Sequence, residues 1–375
     1  MELEASLGWL SLSMTPGLGS RLAGKLLRQF GSPEGIFRAS LTELEACRLP
    51  AAPAQAIKRR SSHKEAEAEL AEVRKLGCRL LNWDEPEYPQ RLLEIYDPPP
   101  LLYVRGDASV LNRHSISMVG TRRPTPYGNQ VAERLGRDLA ERGLTVVSGM
   151  ARGVDSSAHQ GACKASHGAA VGVLGTGVDV IYPKENKKLF GEVEQRGALI
   201  SEFPLGTHPA PENFPVRNRV VAGMSLGIVV VQGAQYSGSL ITARLGMEFG
   251  REVYGVPGSI TTDVSFAPNQ LIKQGAKLVT SWEDVVEELP TEIRAELFPV
   301  EETSKEERAS LFAAALTPLE RKVFGLLGVD ESIHVDELVD KSELSSSEVL
   351  AALCEMEMKG IVRQMPGKQF VKVML

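Results

Sequence analysis

The chain has 375 residues, 43% of them hydrophobic and 24% charged, with a formal net charge of −6. That is room for two or three domains around at least one large core, in the proportions of an ordinary globular protein rather than a disordered chain. The longest apolar runs, such as Gly227–Val231, fall far short of the roughly 20 residues that span a bilayer; with no basic-then-apolar leader and no lipidation motif, a cytoplasmic protein without membrane contact is expected.

Residues 1–80 read as helical, with no strand pattern before Cys78–Trp83. Thr15-Pro16-Gly17-Leu18-Gly19, followed by Ala23 and Leu26-Leu27, resembles a helix-hairpin-helix or sterile-alpha-motif (SAM)-like unit in which the two glycines make the hairpin. Its backbone N–H groups either hold a nucleic-acid phosphate or only close a packing turn. Twelve basic and nine acidic side chains in residues 1–83 leave this block at +3.

Residues 81–289 alternate short β-branched runs with helical stretches, the pattern of an α/β domain. Strands are predicted at Ile116–Val119, Thr145–Ser148, Ala170–Leu174, Ala198–Ser201, Gly227–Val231 and Glu252–Val256. Helices are predicted at Tyr127–Arg142, Asp155–Ser166, Glu185–Arg196, Asn213–Gly223 and Ser239–Gly250. Strands that are apolar on both faces belong in a parallel sheet covered on both sides, and right-handed crossovers then give an extended Rossmann-like, doubly wound sheet.

Residues 290–310 are Glu-rich with little apolar periodicity and are expected to form an acidic, solvated linker. The stretch 283–310 holds ten acidic and three basic side chains, whereas residues 84–282 balance twenty basic against nineteen acidic. The negative charge therefore lies outside residues 84–282, which are free to carry a local basic patch. Residues 311–375 read as a winged-helix-like domain: helices at Pro318–Leu327, Val335–Lys341 and Ser345–Lys359, then a wing of Ile361–Gln364 and Phe370–Val373 turned by Pro366-Gly367. A duplex reader of this type lays its third helix in the major groove. Here that helix carries Glu348, Glu355 and Glu357 against Lys359, so a protein contact or regulatory role is expected instead.

In doubly wound sheets ligands sit at the C-terminal strand ends, and the unusual residues stand there. They are Gly120-Thr121-Arg122-Arg123, Ser148-Gly149-Met150-Ala151-Arg152-Gly153, Gly175-Thr176-Gly177 with Tyr182-Pro183-Lys184-Glu185-Asn186, Phe214-Pro215-Val216-Arg217-Asn218-Arg219, and Ser237-Gly238-Ser239. Gly lets a backbone approach an anion closely, and a helix N-terminus offers free N–H groups and the positive end of a dipole. One such junction is only a tight turn with a cap. Four on one rim, with Arg122, Lys184, Arg217 and Arg219, read as a phosphate-binding crest. Gly175-Thr-Gly lacks the third glycine of a dinucleotide fingerprint, and no Gly-Lys-Ser/Thr follows Gly149. No cofactor is expected; a longer phosphodiester, held by its backbone, suits several modest sites in a row.

Catalytic readings are weaker. His159 lies four residues after Asp155 and shares its helix face, as an acid pair or, preferred, as an orienting hydrogen bond that fixes the loop. Glu202 and Asp179 are two carboxylates with no His at ligand spacing, so no metal site is expected. Ser148 is not in a GxSxG elbow, and Cys47, Cys78, Cys163 and Cys354 form no CxxC pair and are expected to be inert thiols. No catalytic residue is assigned.

These junctions, in this order, resemble the DNA-processing protein A family (DprA, also called Smf). The matching stretches are Val119-Gly-Thr-Arg-Arg with Tyr127-Gly128, Ser148-Gly-Met-Ala-Arg-Gly-Val-Asp with Ala158-His159, Gly175-Thr-Gly-Val-Asp with Tyr182-Pro183 and Asn186, Ser201-Glu202, Phe214-Pro-Val-Arg-Asn-Arg, Ser237-Gly-Ser-Leu-Ile-Thr-Ala243 and Val256-Pro-Gly, over roughly residues 80–290. The resemblance implies a cytoplasmic single-stranded DNA-binding protein without a cofactor. Such a protein protects incoming strands in natural transformation and loads the RecA recombinase onto them, and its Rossmann-like domain forms a homodimer. It carries over phosphate contacts at Arg122 and Lys184, and at Arg217 and Arg219, of which one is free to brace the fold instead. With the crest, the expected DNA-binding set is Gly120, Thr121, Arg122, Ser148, Gly149, Gly175, Gly177, Lys184, Asn186, Arg217, Arg219, Ser237, Gly238 and Ser239.

The chain departs from the family at Gln232, where a Glu is usual, and at Phe266-Ala267, where Arg-Gly is frequent. Two other classes compete. One is a nucleotide-processing hydrolase resembling the phosphoribohydrolases, with Glu202 after its Gly-rich turn but without their PGGxGT stretch. The other is an adaptor that acts through its terminal domain.

Overall fold

Short runs of β-branched and apolar residues, stopped by Gly or by a polar turn, build the sheet. The computed structural model describes residues 2–298, 316–328, 332–359 and 361–372, which fall into two compact units, Met1–Pro299 and Val300–Leu375. In the first, nine strands pair side by side: β1 (Arg79–Asn82), β2 (Leu101–Gly106), β3 (Ser115–Val119), β4 (Thr145–Ser148), β5 (Ala169–Val173), β6 (Ala198–Ser201), β7 (Gly227–Val230), β8 (Glu252–Gly255) and β9 (Lys277–Leu278). Their order is β1-β2-β6-β5-β4-β3-β7-β8-β9. From β6 to β9 every pairing is parallel, and β2 runs antiparallel to both β1 and β6. Every residue of β3 to β7 is buried, as a parallel sheet covered on both faces requires.

The chain starts at β3, steps outward through β4, β5 and β6, then returns to lay β7 on the other side of β3. Ile116 pairs with both Val146 and Gly227. The C-terminal ends of β3 and β7 are thus the switch point, where such sheets open a crevice. Helices Pro126–Glu141, Val154–Lys164, Lys187–Arg196, Asn213–Met224 and Gly238–Glu248 connect the strands.

Two strands differ from expectation. β2 is an antiparallel insertion that a search for alternating β and α segments passes over, although Leu101–Val104 is a fully buried apolar run. β9 is only two residues long. The acidic stretch also begins differently: Thr291–Leu297 is a helix, not linker. Its Ile293 is buried in the core that Leu297 and Phe298 pack against, and the Phe298 ring lies 5.9 Å from that of Trp282. The remainder of the expected linker lies outside the described residues.

Six helices precede the sheet, and their starts follow local chemistry. Ser32 caps Pro33–Arg38, and Ser40 with Glu43 forms a capping box. Trp9, Leu26, Ile36 and Ile57 share one core with Leu101 and Tyr103 of the sheet. Gly17, at φ +76, turns the chain, whereas Gly19 is extended at φ −72. The helix that follows, Ser20–Phe30, begins beside an internal carboxylate: Ser20 Oγ donates to Glu202 at 3.4 Å.

That contact belongs to a buried network centred on Arg219. Its Nε lies 3.3 Å from Asp97, and its Nη2 donates to Ser20 Oγ at 3.1 Å and to Glu202. Arg219 therefore braces the N-terminal helices against the sheet. The expected phosphate contact there is corrected, since its donors are turned into the protein and buried. Burial raises the pKa of Glu202 and of Asp97, and the charge of Arg219 opposes the rise. Glu202 is likewise closed to a substrate, which removes the carboxylate expected of a hydrolase. Asp179, its suggested partner at a metal, instead accepts the N–H of Gly206 at 2.9 Å.

His159 is wholly buried, and neither ring nitrogen reaches Asp155. The orienting bond is made by Asp155 itself, whose Oδ2 accepts from Gly149 and Ala151 at 3.1 and 3.4 Å. Burial pulls the His159 pKa down to about 4.

The second unit has helices Pro318–Leu326, Val335–Ser342 and Ser346–Met358 and a sheet of β10 (Ile333–His334), β11 (Val362–Met365) and β12 (Gln369–Lys372) in the order β10-β12-β11. Capping boxes start the first and third helices. Val323, Leu338, Val349, Leu353, Met356 and Phe370 fill its core. Gly367, at φ +85, turns the wing. This is a winged helix whose third helix exposes Leu350 and Met358 together with its glutamates.

Two outcomes are expected. Arg219→Met strands two largely buried carboxylates and destabilises the first unit by about 3–5 kcal/mol; the loss is smaller at pH 5 than at pH 8, because protonation neutralises groups whose pKa burial has raised. Urea unfolding at both pH values reads this, with Arg122→Met, at an exposed position, as the neutral control. Lowering the pH from 7 to 5 protonates His159 in the unfolded chain, at its ordinary pKa near 6.5, but not in the folded one. This lowers stability by about 2 kcal/mol, and His159→Leu removes that share of the slope.

Candidate nucleic-acid interface

The floor of the switch-point crevice is set by close backbone approaches. Gly120 ends β3 where an added Cβ would lie 2.5 Å from Val154 and 2.8 Å from the Gln232 carbonyl. Thr121 donates its N–H to that carbonyl at 2.7 Å. The Gln232 side chain fixes the other end of the same loop: Oε1 accepts the Thr125 N–H and Nε2 donates to Thr125 Oγ1, both at 2.9 Å. An amide can do both jobs at once and remain uncharged, which is what the departure from Glu achieves at this edge. Between these anchors Arg122 and Arg123 point outward, and the Arg122 guanidinium lies 5.3 Å from the centre of the Phe214 ring.

Beside them, Gly149–Gly153 is held from two sides. Asp155 accepts its N–H groups, and Asn186 Nδ2 donates to the Met150 carbonyl and to Ser156 Oγ at 2.9 Å each. Arg217 crosses directly over Gly149: a Cβ there would lie 2.2 Å from Nη1 and 2.4 Å from Nη2. The buried guanidinium donates to the Val173 carbonyl. Burial pulls its pKa down to about 10, while the Asp155 carboxylate pulls it back up, so it stays charged at neutral pH.

These parts enclose a cleft of about 1250 Å³. Of the expected contacts it is lined by Gly120, Thr121, Arg122, Arg217, Ser237, Gly238 and Ser239. Gly149 and Gly175 line a small recess that shares Arg122, Ala151, Tyr182 and Phe214 with the cleft. The Ser237–Ser239 turn opens helix Gly238–Glu248, whose first-turn N–H groups face an anion favourably.

Five expected contacts lie elsewhere. Ser148 is buried at the end of β4 and donates Oγ to the Met118 carbonyl at 2.6 Å. Gly177 is buried and donates its N–H to Thr207 at 3.1 Å. Asn186 braces the neighbouring loop, and Arg219 faces the N-terminal helices. Lys184 is exposed in the turn Lys184–Asn186 but does not line the cleft. Tyr182 and Phe214, from motifs already named, complete the wall with Pro209, Pro211, Tyr236, Ile260, Phe266 and Lys273. The Tyr182 and Phe214 rings, with centres 5.6 Å apart, join two motifs that are far apart in sequence.

Comparison with known proteins places the chain. Residues 79–290 match the family of DNA recombination-mediator protein A, and residues 306–368 match the DprA winged helix domain. The chain is similar to DNA processing protein DprA of Bacillus subtilis, 43% identical over 222 residues that cover 59% of this chain and 74% of that one. It is also similar to Protein Smf of Escherichia coli, 37% identical over 81% of this chain and 80% of that one. Among solved structures, DNA processing protein A from Streptococcus pneumoniae superposes with a TM-score of 0.66 at 34% identity, over 75% of this chain and 96% of that one. That of Helicobacter pylori, described for its single-stranded DNA binding mode, superposes with a TM-score of 0.51 at 30% identity, over 56% of this chain and 94% of that one. By both its α/β and its winged-helix matches, the chain belongs to the DprA/Smf family of DNA recombination mediators.

Proposed function

We propose that this protein binds single-stranded DNA along the switch-point cleft and delivers it to a RecA-type recombinase, as in the handling of incoming strands during natural transformation. The observation that carries the reading is the rim itself. Arg122, Arg123 and Lys273 open onto one cleft with aromatic rings and the first turn of a helix, the combination that follows a phosphodiester backbone and accepts unpaired bases. No base-specific pattern is needed for such binding. The protein acts as a homodimer, and its winged helix, with an acidic third helix, takes a protein partner rather than a duplex.

Binding of a labelled oligonucleotide, followed by anisotropy over a salt series, tests the reading. Affinity is expected to favour single over double strands and to fall as salt rises. Arg122→Glu is expected to weaken it about tenfold or more and to reduce the salt slope by about one. Lys184→Glu, outside the cleft, does less. Equal affinity of wild type and Arg122→Glu at every salt concentration sinks the assignment. Gly149→Ala tests the floor without touching any charge: the new Cβ must displace the Arg217 guanidinium, at a cost of about 1–3 kcal/mol in stability, with loss of single-strand affinity while Arg122 remains in place.

A further inference from the structure

Part of the cleft is apolar in a way that the phosphate contacts do not explain. Tyr236, Ile260 and Phe266 line it and are 92%, 94% and 41% exposed. They are not loose side chains on a frayed loop. Asn269 clamps Gly258 in both directions, accepting its N–H at 3.1 Å and donating to its carbonyl at 2.9 Å. Gly233, just past β7, donates to the Val264 carbonyl at 2.6 Å and accepts from Ala267 at 2.8 Å. Tyr127 Oη donates to the Pro257 carbonyl at 3.0 Å. The segment that carries Ile260 and Phe266 is thus tied to the sheet and to helix Phe266–Lys273, and Ser237 closes the turn that carries Tyr236 by donating to the Ala234 carbonyl at 3.1 Å.

Isolated exposed apolar residues are ordinary. Three large ones fixed around one cleft, continuous with cationic Arg122, Arg123 and Lys273, mark a ligand that is apolar on one side and anionic on the other. A single strand has that character: its phosphates run along one edge, and its base faces are free. A duplex hides those faces in its own stack. We propose that Tyr236, Ile260 and Phe266 form a packing surface for the unpaired bases of a strand whose phosphates lie on the Arg122 and Ser237–Ser239 side. This inference rests on the single-strand reading above and adds to it the surface that prefers single strands over duplexes, without preference for sequence, since every base has a π-face.

The test compares a thymidine oligonucleotide with a base-free strand of the same length, built from tetrahydrofuran abasic units, using the full chain and the variants Tyr236→Ala, Phe266→Ala and Ile260→Ser. Wild type is expected to bind the thymidine strand more tightly than the abasic one. Tyr236→Ala and Phe266→Ala are each expected to lose about tenfold on thymidine and nothing on the abasic strand, with the salt slope unchanged because no phosphate contact is removed. Ile260→Ser shows the same selectivity with a smaller loss. All three positions are exposed, and unfolding curves that match wild type exclude a folding defect. Equal losses on both strands, or no loss on either, overturn the base surface while leaving the cleft as a phosphate site. A wild type that binds neither strand overturns the single-strand reading, and the base surface with it.

Discussion

A charged guanidinium held under the switch point is the constraint on which the cleft depends. Arg217 is buried, the charge of Asp155 favours its charged form, and the Val173 carbonyl accepts a hydrogen bond from it; a buried ion without such support costs several kcal/mol. Asp155 in turn spends its other capacity on the N–H groups of Gly149 and Ala151. The pair therefore sets the loop after β4 at the same time as it sets the electrostatics of the floor. The glycine at 149 follows from this arrangement rather than from any turn, because the space of a side chain is already filled by the arginine.

The same helix shows why one motif does two things. Arg217 and Arg219 are two residues apart, and at 3.6 residues per turn such positions point to opposite sides of a helix. One therefore reaches the crevice, and the other reaches the seam with the N-terminal helices, where Asp97, Glu202 and Ser20 receive it. A run of basic residues in a motif suggests a patch, but on a helix alternate members cannot all belong to it.

Much of the sheet was legible because β3 to β7 are buried on both faces, which forces short, mostly apolar runs. β2 escaped because it breaks the alternation of strand and helix rather than the chemistry of strands, and the helix Thr291–Leu297 escaped because one buried Ile293 anchors it among glutamates. In the site, residues whose backbone must approach something closely, such as Gly120 and Gly149, were visible as glycines at strand ends. Ser148 and Gly177 shared that signature but use it for packing, and sequence does not separate the two. The aromatic walls were least legible: Tyr182 and Tyr236 come from loops, Phe214 and Phe266 from the first turns of two helices, and only the topology brings them together.

The overall charge of −6 says little about this cleft, for a reason of distance. At physiological ionic strength exposed charges are screened beyond about 8 Å, so a ligand in the cleft responds to the groups around it and not to the chain total. Near the rim, Arg152 is neutralised by Glu185. Arg122, Arg123 and Lys273 are in no ion pair among the described residues. Arg122 instead rests on the face of Phe214, which holds its position without cancelling its charge. Free cations set on a partly apolar cleft therefore attract a polyanion locally, whatever the chain total, and favour a strand that enters the cleft over one that merely lies on the surface.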